Sequence, residues 1–208
     1  MADVTNPPRR PIGRPRGDRD IPELLLSAAL RLFAERGFSA TSVQAIVEAA
    51  DVTKGGMYHY FQSKDDLLYE IYGRLLRLQM VHLQEFAALD EPIADRVRKA
   101  AADVIVTSLE EFDGTVVFFQ SLHQLHPDKQ ALVRAERRAY HQQFCALIGE
   151  GQQTGAFSDV VSPDLVVDYF FGAVHHLVTW YHPGGALSPE DVAEKFAHLL
   201  MTSLRPSA

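Results

Sequence analysis

The chain has 208 residues, 23% of them charged, and a net charge of −7, which allows one large domain or a small one joined to a larger one. No apolar run approaches the roughly 18 residues of a membrane span, and an Arg- and Pro-rich beginning without an apolar stretch argues against a secretory signal. The single cysteine, Cys145, permits no internal disulfide and fits a reducing, cytoplasmic setting.

A net charge of −7 at first argues against nucleic acid, but the charge is unevenly placed. Residues 1–66 hold nine Lys/Arg and nine Asp/Glu, whereas residues 67–208 hold eleven against eighteen and carry the whole excess. Residues 9–19 contain five Arg and one Asp. A basic tip on an acidic body orients a protein toward phosphate and discourages non-specific contact elsewhere.

In chain order, residues 1–19 are too rich in Pro, Arg and Gly to fold alone, and form a basic arm. Gly13-Arg14-Pro15-Arg16 resembles the AT-hook, whose Arg side chains lie in a narrow A·T minor groove; the other reading is a merely solvated tail. Asp20 begins the first helix with Pro22 in its first turn. Leu26, Ala29, Leu30 and Phe33 line one face, and Gly37 ends the helix.

Residues 41–68 read as a helix-turn-helix with a third helix leaving it. Thr41 can cap the first helix, with Gln44 returning the bond, and Val43, Ile46, Val47 and Ala50 form its apolar face. Asp51-Val52 makes the turn, since Asp tolerates a left-handed backbone. Thr53 caps the second helix, which opens on Lys54-Gly55-Gly56. Two glycines at a helix start cost roughly 1 kcal/mol each against Ala, which makes sense where the backbone must closely approach a surface such as a DNA groove. Met57 and Phe61 anchor inward, leaving Tyr58, His59 and Tyr60 outward toward phosphates. Ser63-Lys64-Asp65-Asp66 is a capping box, with Lys64 placed to meet a phosphate.

Residues 21–68 resemble the DNA-binding domain of the TetR family of bacterial transcriptional repressors. The likeness rests on Phe33-Ala34-Glu35-Arg36-Gly37-Phe38 and on Thr53-Lys54-Gly55, Tyr58-His59-Tyr60-Phe61 and Ser63-Lys64. Asp51 stands where Gly is usual, and Gly56 where a larger or hydroxylated residue often sits. The resemblance implies a repressor that binds a palindromic operator as a homodimer and is released by a small ligand. The expected DNA contacts are Thr53, Lys54 and Gly55 on base edges, Thr41, Ser42, Tyr58, His59 and Lys64 on phosphates, and Arg14 and Arg16 in the minor groove.

From Ser63 a long helix runs to about residue 88, with Leu67, Ile71, Leu75 and Leu78 inward, and it belongs to both domains, 20–66 and 67–208. The remainder reads as helices over 92–111, 115–125, 128–149, 164–182 and 188–204. Asp113-Gly114 is a break, and 149–163 a loop. The 128–149 helix turns Leu132, Ala135, Ala139, Phe144 and Ile148 inward. The predicted fold is all-α, a three-helix DNA-binding head and a larger helical ligand-binding and dimerisation domain. Helix 164–182 has apolar residues nearly all round, so it needs burial on two sides. Phe170, Val174, Phe196 and Leu200 are expected at a two-fold interface.

Aromatics crowd the middle helices. Phe112, Phe119, Tyr140, Phe144 and Trp180, with Gln120, His123 and His176 as polar points, are expected to line an effector pocket. The segment from Trp180 to Glu190 resembles TetR-family regulators of fatty-acid and steroid breakdown, which implies an acyl-CoA effector. Arg134, Arg137 and Arg138 would then meet the CoA phosphates. The alternative within the family is a sensor of aromatic drugs. His141 and Cys145 stand four apart, yet no orienting acid is near in sequence, so neither catalysis nor a cofactor is expected. His123-x-x-His126 and His175-His176 with His182 are read as structural or pocket histidines rather than metal ligands. Neighbouring helical residues point about 100° apart.

Overall fold

The structure, a computed structural model, describes residues 20–206; Arg14 and Arg16 lie outside the described residues. All regular structure among these is helical. Helix α1 (Ile21–Arg36) starts on Asp20, whose carboxylate accepts from the Glu23 amide, and ends at Gly37 with φ +82°. Leu25, Leu26, Ala29, Leu32 and Phe33 are buried. Helices α2 (Val43–Ala49) and α3 (Lys54–Tyr58) meet at Asp51, the one non-glycine residue with positive φ among those described, at +52°. Thr53 caps α3 through the Gly56 amide at 3.0 Å.

Helix α4 (Lys64–Ala87) opens on a complete capping box between Ser63 and Asp66. Its buried stripe is Leu68, Tyr72, Leu75, Leu76, Gln79 and Leu83, with Leu67 on the same side at its start. The expected inward Leu78 is 45% exposed. Gln79 takes the inner position because its amide is satisfied there, donating to the Thr107 hydroxyl at 2.8 Å and the Val104 carbonyl at 3.3 Å. A hydrogen-bonded polar side chain can be buried at little cost, whereas an unpaired one cannot.

Helix α5 (Ile93–Glu110) leaves helical geometry at Glu111 rather than at Asp113-Gly114. Asp113 instead sits in the first turn of α6 (Phe112–Ser121), where an acidic side chain suits the helix dipole. Gly114 is buried there, and an added Cβ would stand 3.4 Å from Ile71. A 3-10 turn (Leu122–Gln124) ends this region just before residue 125.

Helix α7 (Pro127–Gln153) continues through Gly149 and Gly151, where the sequence pattern predicts a loop. Gly151 lets the Phe157 ring lie against the helix, since a Cβ there would be 2.0 Å from it. The true stop is Gly155, φ +74°. The inward residues of α7 are Val133, Tyr140, Phe144, Leu147 and Ile148, while Leu132, Ala135 and Ala139 are exposed. Helices α8 (Pro163–Trp180) and α9 (Pro189–Ser203) complete the chain. Helix α9 packs chiefly on α5, and α8 on α7. Among the described residues no helix is long and apolar enough to cross a membrane.

The apolar surplus of α8 is resolved in two directions. Phe170, Val174 and Leu200, expected at an interface between copies, are buried in the core of the single chain, and Phe196 is half-buried against Trp180. The exposed side of α8 is Leu165, Tyr169, His176 and Trp180, stepping by helical turns, with Tyr169 70% exposed.

Candidate functional sites

The head exposes most of the residues expected to meet DNA. Ser42, Thr53, Lys54, Gly55, Tyr58 and His59 are all exposed. Ser42, not Thr41, caps α2, accepting from the Ala45 amide at 3.1 Å. Thr41 is 2% exposed, and its hydroxyl lies 2.8 Å from the Gly37 carbonyl and 3.2 Å from that of Leu32. It ties α1 to α2 and is removed from the expected phosphate contacts. Lys64 is also an internal strut. Its ammonium donates to the carbonyls of Phe38 (2.8 Å) and Thr41 (3.1 Å), with Ser39 at 3.4 Å, and lies over the Phe38 ring. These three carbonyls compete with a phosphate for its three donors.

The paired glycines have different jobs. A Cβ on Gly56 would press within 3.0 Å of Val52 in the turn, so this glycine serves the helix-helix corner. A Cβ on Gly55 would meet nothing nearer than 4.0 Å, which leaves its backbone open to a large partner.

Around the middle of α4, side chains from five helices line a half-open cavity of about 350 Å³. Tyr72, Leu75, Leu76 and Gln79 come from α4, Phe112 and Phe119 from α6, Arg137, Arg138, Tyr140 and His141 from α7, and Asp168, Phe171 and His175 from α8. Val104, Ser108 and Leu109 of α5 close it. The Arg137 guanidinium lies over Phe119 and 3.1 Å from His175 Nε2. Burial, and then the Arg137 charge, push the His175 pKa down to about 4. The ring is therefore neutral at pH 7 and accepts from Arg137. Among the described residues Arg137 forms no ion pair, so this cation is held by an uncharged histidine and a π face.

Of the expected pocket residues, Phe112, Phe119, Arg137, Arg138 and Tyr140 line the cavity. Phe144 is fully buried core behind it. Gln120, His123, His176 and Trp180 are exposed and are not among the residues that line it. Arg134 is exposed, with Gln130 as its partner, so the three arginines do not form one clamp. Tyr72, Gln79 and Phe171 were missed, and His175, read as a structural or pocket histidine, was not singled out from His176. For His175 the signal was its spacing: it stands four residues from Phe171 and seven from Asp168, on the inner stripe of α8.

Two paths join cavity and head. Helix α4 places Leu67 and Leu68 in the head core and Tyr72 and Leu76 at the cavity. Beside it, the start of α7 holds the start of α4. The His126 amide donates to Asp65 at 2.7 Å, Lys129 pairs with Asp66 at 2.6 Å, and Gln124 bonds Ser39. Burial alone would raise the Asp66 carboxyl, yet Lys129, Gln62 and Ser63 together hold it below its ordinary value.

Comparison with known proteins decides the family. Residues 25–71 match the family described as "Bacterial regulatory proteins, tetR family", and residues 90–204 match "Tetracyclin repressor-like, C-terminal domain". The chain belongs to the TetR family. It is similar to the HTH-type transcriptional repressor KstR2 of Rhodococcus jostii (strain RHA1), 26% identical over 86% of this chain and 89% of that one. The crystal structure of PfmR from Thermus thermophilus has a TM-score of 0.78 at 25% identity, covering 87% of this chain and 98% of that one. AibR, solved with isovaleryl coenzyme A and operator DNA, has a TM-score of 0.72 at 25% identity, covering 88% and 98%.

As a DNA-binding, helix-turn-helix transcription regulator, this TetR-family chain has an unexpected cluster beside its cavity. The acid absent from the sequence neighbourhood of His141 and Cys145 comes from α8: Asp168 lies 3.0 Å from His141 Nε2, and Asp164 3.9 Å from the Cys145 sulfur. Burial, followed by Asp164 and Asp168, pushes the Cys145 thiol up to about 11. That is the reverse of what a nucleophilic thiol requires.

Proposed function

We propose that this protein is an operator-binding repressor, active as a homodimer and released when an acyl-CoA thioester places its acyl group in the cavity. The carrying observation is Arg137: a guanidinium with no carboxylate partner among the described residues, set over an aromatic ring, favours a polarised carbonyl or an anion at its end of the cavity. The volume lies at the low end for ligand pockets, suited to an acyl group with its CoA outside. AibR, a relative of the same fold, was solved with an acyl-CoA and with operator DNA, which supports the same chemistry here. The exposed α8 stripe of Leu165 and Tyr169, with Leu199 of α9, is suited to cover the same stripe of a second copy. Ser42, Tyr58 and His59 would then hold phosphates, and Thr53, Lys54 and Gly55 would face base edges in two half-sites about 34 Å apart. A filled cavity would shift α4 and the start of α7, and so change that spacing.

The test is release of a labelled operator by acyl-CoAs, free acids and flat aromatic cations. Acyl-CoA is expected to dissociate the complex, and Arg137→Glu to weaken that response at least tenfold while operator affinity is kept. Release by aromatic cations alone would transfer the protein to the drug-sensing reading.

A further inference from the structure

We propose that His141, Cys145 and Asp164 bind a borderline-soft divalent cation of the zinc class, with Asp168 orienting the histidine. The site arises from register. His141 and Cys145 stand one turn apart on α7, and Asp164 and Asp168 one turn apart on α8, so each pair presents one face to the other. One donor atom from each of His141, Cys145 and Asp164 lies within 4.8 Å of the others. His141 Nδ1 is 3.5 Å from the Cys145 sulfur, which in turn is 3.9 Å from Asp164 Oδ1. A tetrahedral ion with bonds of about 2.0–2.3 Å sets its donors roughly 3.5 Å apart, so a small swing of the exposed Asp164 completes the set.

The histidine is already aimed. Asp168 engages Nε2 at 3.0 Å, which leaves the Nδ1 lone pair directed to the sulfur side. A carboxylate behind a ligating histidine is the usual outer support of such ions. The mixed nitrogen, sulfur and oxygen donors disfavour magnesium and calcium, which take oxygen, and suit zinc or cobalt. Three protein ligands leave a fourth position open. His141 and Asp168 also line the cavity, so the ion would sit in its wall and tie α8 to α7. The site does not depend on the effector being an acyl-CoA.

The experiment titrates Co2+ into the metal-stripped full-length protein, followed by Zn2+ displacement. The expected result is one ion per chain with a thiolate-to-cobalt absorption band. Cys145→Ser should abolish that band, and His141→Ala should weaken binding at least tenfold. Asp168→Asn should weaken it by about 10- to 100-fold while keeping the band, as an outer support would. His123→Ala should change nothing. Absence of the band in the wild-type protein overturns the proposal, as does undiminished zinc affinity in both Cys145→Ser and His141→Ala. Should a variant unfold, the wild-type band alone decides.

Discussion

The head and the effector domain share a helix but are built by opposite means. In the head, the starts of α2, α3 and α4 are each capped by a partner three residues away: Ser42 on Ala45, Thr53 on Gly56, Ser63 on Asp66. Around the cavity, the deciding contacts span long stretches of chain, as with Arg137 and His175 or Gln79 and Thr107. Locally closed hydrogen bonds make a stiff reading unit. Contacts among five helices make a chamber whose walls can rearrange when filled, which is what a ligand-driven switch needs.

The comparison can be broken most sharply at glycine. Gly151→Ala puts a methyl 2.0 Å from the Phe157 ring and should destabilise the protein by about 3 kcal/mol, at the upper end for overpacking. Gly149→Ala, two residues earlier, meets only Pro163 at an ordinary 3.8 Å and should stabilise by up to about 1 kcal/mol. Urea unfolding of both variants checks the contrast; equal effects would deny that α7 is closed down on Phe157.

A comparable effect is expected from acid. Between pH 6.5 and about 4 the unfolded chain carries a proton on His175 that the buried ring refuses. Stability is therefore full above that window and falls as pH drops through it, by an amount on the order of 3 kcal/mol. His175→Gln should flatten this part of the stability profile, and an unchanged slope would refute the burial argument. Within that window the response should therefore come from the effector side, where His175 sits half-buried among the cavity residues.

Smaller again is the effect of Lys64→Met. Loss of its carbonyl bonds should cost about 2 kcal/mol of head stability. Operator binding should weaken only through unfolding, leaving the salt slope unchanged. A slope reduced by about 1 would instead mark Lys64 as a phosphate contact.

The same contrast explains what could be read in the sequence. Asp20, the turn at Asp51, Thr53 and the Ser63 box were legible because caps and turns are written at fixed short spacing. Thr41 and Lys64 read as phosphate contacts in the sequence, whereas the fold turns their polar groups toward backbone carbonyls that it alone brings near. Gly149 and Gly151 look like punctuation, and nothing local reveals that Phe157 returns to cover one of them. In the cavity, Arg137 and Phe119 were legible as chemistry, whereas the choice of His175 over His176 depends on which way α8 is rolled against α7. The acids facing His141 and Cys145 stand 27 and 19 residues away and could not be paired to them without that packing.

The central claim is that cavity and reading head are energetically coupled through α4 and the start of α7. The most direct test measures acyl-CoA affinity calorimetrically for the free protein and for the protein saturated with operator. Linkage predicts weaker binding to the operator complex, by the same factor by which the acyl-CoA weakens operator binding. Equal acyl-CoA affinity in the two states would contradict the account.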